Sequence, residues 1–211
     1  MRPSSAKASW ITGTIILLLV VVVFRINEEF LGHPAVKSLR ALTFWNLILS
    51  GLFLLFAPFF FLNPFVLVGF AVIGLNFFVL IARSFLLRFG KDKRAIVWFG
   101  DILTHYILPL LISTILFIWI FSKRNEGYQK KNLWFGGLLL LGILIFWMTI
   151  NVVIYAWRKT WPYGRGQGNI SQDKSWVSWL KKIAIFLFSY AIVILIVLLH
   201  DKNAKNAMYN K

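Results

Sequence analysis

The sequence predicts an all-α integral membrane bundle of six transmembrane helices, and three observations carry that reading. From Ala41 to Ala82 there is no Asp, Glu, Lys or Arg, a run about twice the ~20 residues that one helix needs to cross a bilayer. Hydrophobic residues make up 59% of the chain and charged residues 14%, against roughly 25% charged in soluble domains. Mean hydropathy is +0.76. The 23 Lys and Arg against 7 Asp and Glu give a net charge of +16. Apart from Arg83, the basic residues flank the apolar runs, where they meet anionic headgroups and set orientation.

Taken in order, the apolar runs between charges place six spans in one membrane domain over 1–211, at about 8–24, 41–62, 64–87, 100–121, 133–157 and 183–199. The first has the short basic start and apolar centre of a signal peptide. Arg25-Ile26-Asn27-Glu28-Glu29 then offers no small-residue cleavage site, so it is read as a retained helix. Leu62-Asn63-Pro64 breaks the charge-free run into the second and third spans. Gly136, Gly137 and Gly142 in the fifth lack the spacing of a Gly-x-x-x-Gly packing motif. Trp10, Trp134, Trp157, Trp161, Trp176 and Trp179 sit near span ends, where indoles anchor helices at the interface. An even number of spans puts both termini on one side of a cell membrane. More Lys and Arg fall in loops one, three and five than on the terminal side, so those loops are expected to be cytoplasmic.

Composition also excludes several functions. Basic residues that flank membrane spans serve lipid headgroups, so no nucleic-acid partner is expected. The chain has no cysteine, which removes disulfides, thiolate metal sites and a cysteine nucleophile. His33, His105 and His200 are too scattered for a metal site. The Gly164-Arg165-Gly166-Gln167-Gly168 segment has no strand before it and is not read as a phosphate loop. No metal or cofactor is expected.

Polar residues within the spans collect toward one membrane side. Thr43 and Asn46 open the second span, Arg83 closes the third, Asp101, Thr104 and His105 open the fourth, and Thr149, Asn151 and Tyr155 lie late in the fifth. The opposite ends, such as Phe56-Ala57-Pro58-Phe59-Phe60-Phe61, are apolar. Asn76, Ser113 and Thr114 fall near mid-membrane. Polar groups in lipid are costly and usually face the bundle interior or a wet cavity. The asymmetry predicts a polar pocket opening toward loops one, three and five, with membrane lipids or a small molecule as ligand. Helix ends being wetter than centres accounts for part of the same pattern.

Asp101 and His105 are four residues apart and share a helix face. A carboxylate there can orient an imidazole and stabilise its protonated form, as in a base-plus-orienter pair. At 1.5 Å per residue, Thr43 and His105 lie roughly 3 Å and 7 Å inside their spans, similar depths. Thr43 is therefore the candidate nucleophile, His105 the general base and Asp101 its orienter. Asn46, Arg83, Asn151 and Tyr155 are the candidate substrate contacts. The structural alternatives are a Thr43 hydroxyl bonded back to its own helix, an Asp101 that complements a helix dipole, and an interfacial His105. Arg83 can bind a carboxylate or phosphate headgroup bidentately; near a helix end an arginine more often snorkels to the interface.

Three stretches together resemble the androgen-induced-gene family of membrane proteins and its bacterial relatives: Leu42-Thr43-Phe44-Trp45-Asn46, His105-Tyr106-Ile107-Leu108-Pro109 and Trp161-Pro162-Tyr163-Gly164. That family is similar in size, and some eukaryotic members are threonine hydrolases that cleave fatty-acid esters of hydroxy fatty acids. The resemblance places the family's threonine on Thr43 and its histidine on His105. The histidine-to-proline spacing is one residue shorter than in the eukaryotic hydrolases, and alignment on the proline would move the histidine to Thr104. Six helices in about two hundred residues also resembles the vitamin-binding components of energy-coupling transporters, although Ile16 to Phe24 has only bulky residues where those have small ones. The readings are thus an intramembrane hydrolase of lipid esters, a small-molecule-binding transport component, or a noncatalytic membrane scaffold.

Overall fold

The computed structural model describes residues 3–31, 42–56, 63–86, 95–122, 130–158 and 176–209, and all of them are helical. Helix α1 is Pro3–Leu31, α2 Leu42–Phe56 and α3 Asn63–Leu86. Helix α4, Ala95–Ile102, passes through a π-helical turn, Leu103–Ile107, into α5, Leu108–Ser122. Helix α6 is Lys130–Arg158 and α7 Trp176–Tyr209.

Four stretches are long and apolar enough to cross a membrane: Val66–Ser84, Trp98–Phe121, Lys131–Ile154 and Lys182–Lys202. Two further apolar helices, Ser9–Val22 and Leu42–Phe56, are shorter. The predicted second span extended to 62, and 57–62 lie outside the described residues. Helix α1 continues past Arg25 to Leu31, beyond the predicted end at 24. Helices α6 and α7 likewise overrun their apolar cores, because helical hydrogen bonding does not stop where a bilayer would.

Helix α3 is the hub of the bundle. It packs against α2, α5, α6, α7 and the π turn, and 78% of its apolar window is buried, against 28% for those of α6 and α7. Phe70, Ala71, Ile73 and Leu75 are fully enclosed. By contrast, α6 and α7 turn Trp134, Leu138, Phe146, Leu187 and Phe188 outward. Such broad apolar faces are unsuited to water and suited to acyl chains. Relative directions follow from individual contacts. Gly69 of α3 lies against Ile120 and Phe53 and Arg83 meets Asp101, so α3 runs antiparallel to α5. Gly136 lies against Phe70, and Gly74 against Leu140, so α3 and α6 run parallel.

Small residues allow two close approaches. A Cβ on Gly13 would fall 2.6 Å from the Leu55 backbone nitrogen and 2.8 Å from the Gly51 carbonyl oxygen. Here α1 and α2 touch backbone to backbone, as helices in lipid do where side chains are small. Ser9 seals the same interface with a 2.7 Å hydrogen bond to the Leu54 carbonyl. Gly74, Gly136 and Gly137 together receive the Tyr190 ring, whose hydroxyl donates to the Leu133 carbonyl. The sequence reading, tied to one spacing motif on one helix, missed both approaches, since each is assembled from glycines on different helices.

Gly13→Val is expected to cost about 1–3 kcal/mol through overpacking, measured by unfolding in detergent. Gly142→Ala, where an added methyl meets nothing within 4 Å, is expected to be neutral or slightly stabilising because alanine favours helix. Equal losses in both variants would remove the α1–α2 contact as a packing constraint.

Candidate functional site

The site forms where the start of α2, the end of α3 and the π turn meet. Pro109 explains the local backbone. It has no N–H to return to the His105 carbonyl, and its ring crowds that carbonyl, so a regular α-helix cannot continue through this point. The chain widens instead, with the Leu108 N–H bonding to the Leu103 carbonyl in the i+5 pattern of a π turn. His105 sits at the centre of the widened turn.

Four side chains then join in series. Thr43 Oγ1 is 2.9 Å from His105 Nε2. His105 Nδ1 is 3.2 Å from Asp101 Oδ1. Asp101 Oδ2 accepts from Arg83 Nη2 at 2.6 Å and from Nε at 3.1 Å. Thr43 is 9% exposed, and the Arg83 and Asp101 side chains 10% and 19%. The series is mostly enclosed by protein.

Hydrogen-bond bookkeeping places a proton on Nδ1 of the imidazole. Nδ1 is 3.0 Å from the Asp101 carbonyl, 3.0 Å from Thr104 Oγ1 and 3.2 Å from a carboxylate oxygen. The Thr104 hydroxyl gives its proton to the Gly100 carbonyl at 2.8 Å. Nδ1 is thus surrounded by acceptors and carries a proton; when the ring holds only that proton, the Nε2 lone pair accepts from the Thr43 hydroxyl. Thr43 is the second residue of α2 and makes its bond across the bundle, to the imidazole.

Of the predicted site residues, Thr43, His105 and Asp101 come together in this series. Arg83 does too, but it turns inward to the Asp101 carboxylate, not outward to a headgroup. Asn46, fully buried, donates to Asn76 Oδ1 at 2.9 Å, one helical turn below Thr43. Asn151 is buried on α6 and donates to the Trp147 carbonyl four residues earlier. From the Gly74–Leu140 contact on parallel helices, it lies at about the depth of Arg83. Tyr155 is on the same helix with its side chain outside the described residues, as are His33 and the Trp161-Pro162-Tyr163-Gly164 and Gly164-Arg165-Gly166-Gln167-Gly168 segments. His200, at the far end of the bundle, stacks on Phe121 with ring centroids 3.7 Å apart. Among the described residues no group of three metal-ligating side chains occurs.

The Arg83–Asp101 pair was the feature that residue-by-residue reading missed. A signal for it was available: each is the only charged residue within its own apolar run, at opposite ends of one short connection. Charges in lipid seek one another.

No protein-family profile, curated protein or solved structure matches the chain.

Breaking a buried ion pair typically costs about 3–5 kcal/mol, and partial exposure lowers the expectation for Arg83→Met to roughly 2–4 kcal/mol. Adding Asp101→Asn to that variant is expected to restore part of the loss, since it removes the stranded carboxylate. A double-mutant cycle by unfolding in detergent measures the coupling; strictly additive losses would show that the two charges do not support each other.

Proposed function

We propose that this chain is a six-span cell-membrane hydrolase of lipid esters, with Thr43 as nucleophile and His105 as general base. The observation that carries the reading is the Thr43 Oγ1 to His105 Nε2 contact of 2.9 Å, backed by Asp101 on Nδ1. In the proposed topology Ser9–Val22 and Leu42–Phe56 also span the bilayer, both termini share one side, and loops one, three and five are cytoplasmic. The resemblance of the Thr43 and His105 stretches to the androgen-induced-gene proteins supports the same assignment.

The chemistry follows from the donor and acceptor order. As Thr43 Oγ attacks an ester carbonyl carbon, its proton passes to His105 Nε2. The imidazolium then gives that proton to the departing alkoxide oxygen as the carbon–oxygen bond breaks, which leaves an acyl group on Thr43 and a free alcohol. Water attacks the acyl carbonyl, its proton passes to Nε2 and on to Thr43 Oγ, and a carboxylic acid is released. Asp101 retains the Nδ1–H orientation and stabilises the imidazolium without itself taking the proton. Arg83 is a positioning residue that holds the carboxylate. Thr43 lies in the first turn of α2, so the positive end of that helix dipole faces the charge that develops on the carbonyl oxygen. The β-branched threonine has few rotamers, which keeps its hydroxyl on the imidazole.

Depth selects the substrate class. The first turn of a spanning helix lies at the headgroup–acyl boundary, the level at which ester groups of membrane lipids sit. A scaffold would have no need of an imidazole lone pair directed at a buried hydroxyl.

The test is labelling of the purified protein by a fluorophosphonate probe. Wild type is expected to react, and Thr43→Ala and His105→Ala to show none. Asp101→Asn is expected to react roughly 10²–10⁴-fold more slowly, by analogy with the orienting carboxylate of a catalytic triad. Labelling that survives the Thr43 change, or none under conditions that label a control hydrolase, would count against the proposal.

A further inference from the structure

Below the Thr43–His105 contact a second polar group crosses the bundle, and it contains no charge. Asn46 and Ser50 of α2 and Asn76 of α3 are 0% exposed, and Ser113 of α5 is 3% exposed. Their levels coincide. Seven residues along each antiparallel helix from the Gly69–Ile120 contact arrive at Asn76 and Ser113. On α2, Asn46 and Ser50 are both bonded to Asn76, directly, at 2.9 Å and 3.1 Å.

The amide orientations are fixed by what each partner can do. The Val72 carbonyl can only accept, so the Asn76 group 2.9 Å away is its Nδ2, which also donates to Ser50 Oγ. Asn76 Oδ1 then faces Asn46, which must present its own Nδ2. Asn46 is left with Oδ1, a buried acceptor that takes no hydrogen bond from any described residue. Ser113 Oγ is in the same position. That is unusual within this chain, because Thr14, Ser84, Thr114, Thr149 and Ser189 all return their hydroxyls to the carbonyl four residues earlier. A buried helix hydroxyl that forgoes that bond has another partner to satisfy it.

The two atoms are on helices that share a seam. Helix α2 touches the π turn and α5 through side chains at two levels: Thr43 with His105 above, and the Phe53 and Trp119 rings edge to face at 5.6 Å below. Along their helices Asn46 lies between Thr43 and Phe53, and Ser113 between His105 and Trp119. A group that reaches both atoms meets an acceptor from α2 and a hydroxyl from α5. A cation would find no carboxylate in the cluster, a carbonyl could not donate to Asn46, and an N–H group could donate to Asn46 but would leave the Ser113 hydroxyl proton without an acceptor. An O–H group does both.

We infer that this level is a hydroxyl-binding subsite, in which an O–H donates to Asn46 Oδ1 and accepts from Ser113 Oγ. The hydroxyl belongs either to a bound water or to a hydrophobic molecule seated between the helices. In the second case depth restricts its place on that molecule. At 1.5 Å per residue Asn46 and Ser50 lie about 4.5 Å and 10 Å below Thr43, so the hydroxyl is on the buried part of the molecule and not at its head. The subsite does not depend on Thr43 being a nucleophile.

The experiment uses the full chain in detergent and a pair of long-chain methyl ethers, one with a single mid-chain hydroxyl and one without. Neither ether can be hydrolysed as an ester, so the outcome is separate from that of the labelling test. Thermal unfolding is followed against ether concentration for wild type, Ser113→Ala and Ser113→Thr. Wild type is expected to bind the hydroxylated ether at least tenfold more tightly than the plain one. Ser113→Ala should lose that preference and Ser113→Thr keep it. If the two ethers bind alike but Ser113→Ala lowers the midpoint of the unliganded protein, the hydroxyl is that of a bound water. If Ser113→Ala leaves the midpoint unchanged or raises it, and both ethers bind alike, Ser113 has no partner and the subsite is overturned.

Discussion

A carboxylate inside an apolar helix must be partnered by protein, and the Arg83–Asp101 ion pair is the solution on which the site depends. Water is scarce at that depth, so an unpaired Asp101 would carry the cost of a buried charge. The guanidinium approaches one carboxylate oxygen through two nitrogens, which leaves the other for His105. The imidazole in turn faces Thr43. Three segments distant in sequence, the end of α3, the π turn and the start of α2, are thus tied by one alternating series of donors and acceptors. Removal of the first link would release the carboxylate that directs the imidazole, so stability and the orientation of the imidazole are coupled at this point.

The π turn shows how a single residue shapes that series. Pro109 withholds one N–H and occupies the space of one carbonyl. The widened turn that results carries Thr104 and His105 together, with Thr104 bonded to Gly100 and His105 to the Asp101 backbone as well as to its side chain. The imidazole is therefore fixed by main-chain and side-chain acceptors at once, a tighter constraint than an i, i+4 pair on a regular helix provides.

Much of this was legible in the sequence because depth is legible. The apolar run from Ala41 to Ala82 and the charges at its edges locate the helices along the membrane normal, and Thr43, Asp101 and His105 fall at compatible depths. Rotation about each helix axis was less accessible. The pattern of α3 taken by itself does not set which way Arg83 turns; the cue was the lone Asp101 in the next apolar run, which only a comparison of the two runs brings out. The same ambiguity concealed the packing, because Gly13 and Gly51 have no motif on either helix alone and act only across the α1–α2 contact. A uniformly apolar helix such as α5 offers almost no amphipathic signal to read, since lipid and protein interior favour the same side chains.

From the site end of the bundle inward the polarity falls in a definite order. The ion pair and imidazole lie at the top, neutral amides and hydroxyls at mid-depth, and an edge-to-face aromatic contact between Phe53 and Trp119 below. Desolvation supplies the reason. The cost of an ion rises steeply away from the interface, whereas an amide can be held at mid-membrane if its hydrogen bonds are met within the protein. Asn76 meets that condition with Val72, Ser50 and Asn46. Asn46 and Ser113 keep one acceptor and one hydroxyl unmet, and the proposed O–H subsite would complete both at mid-depth, where an apolar bundle could retain specificity for a polar atom.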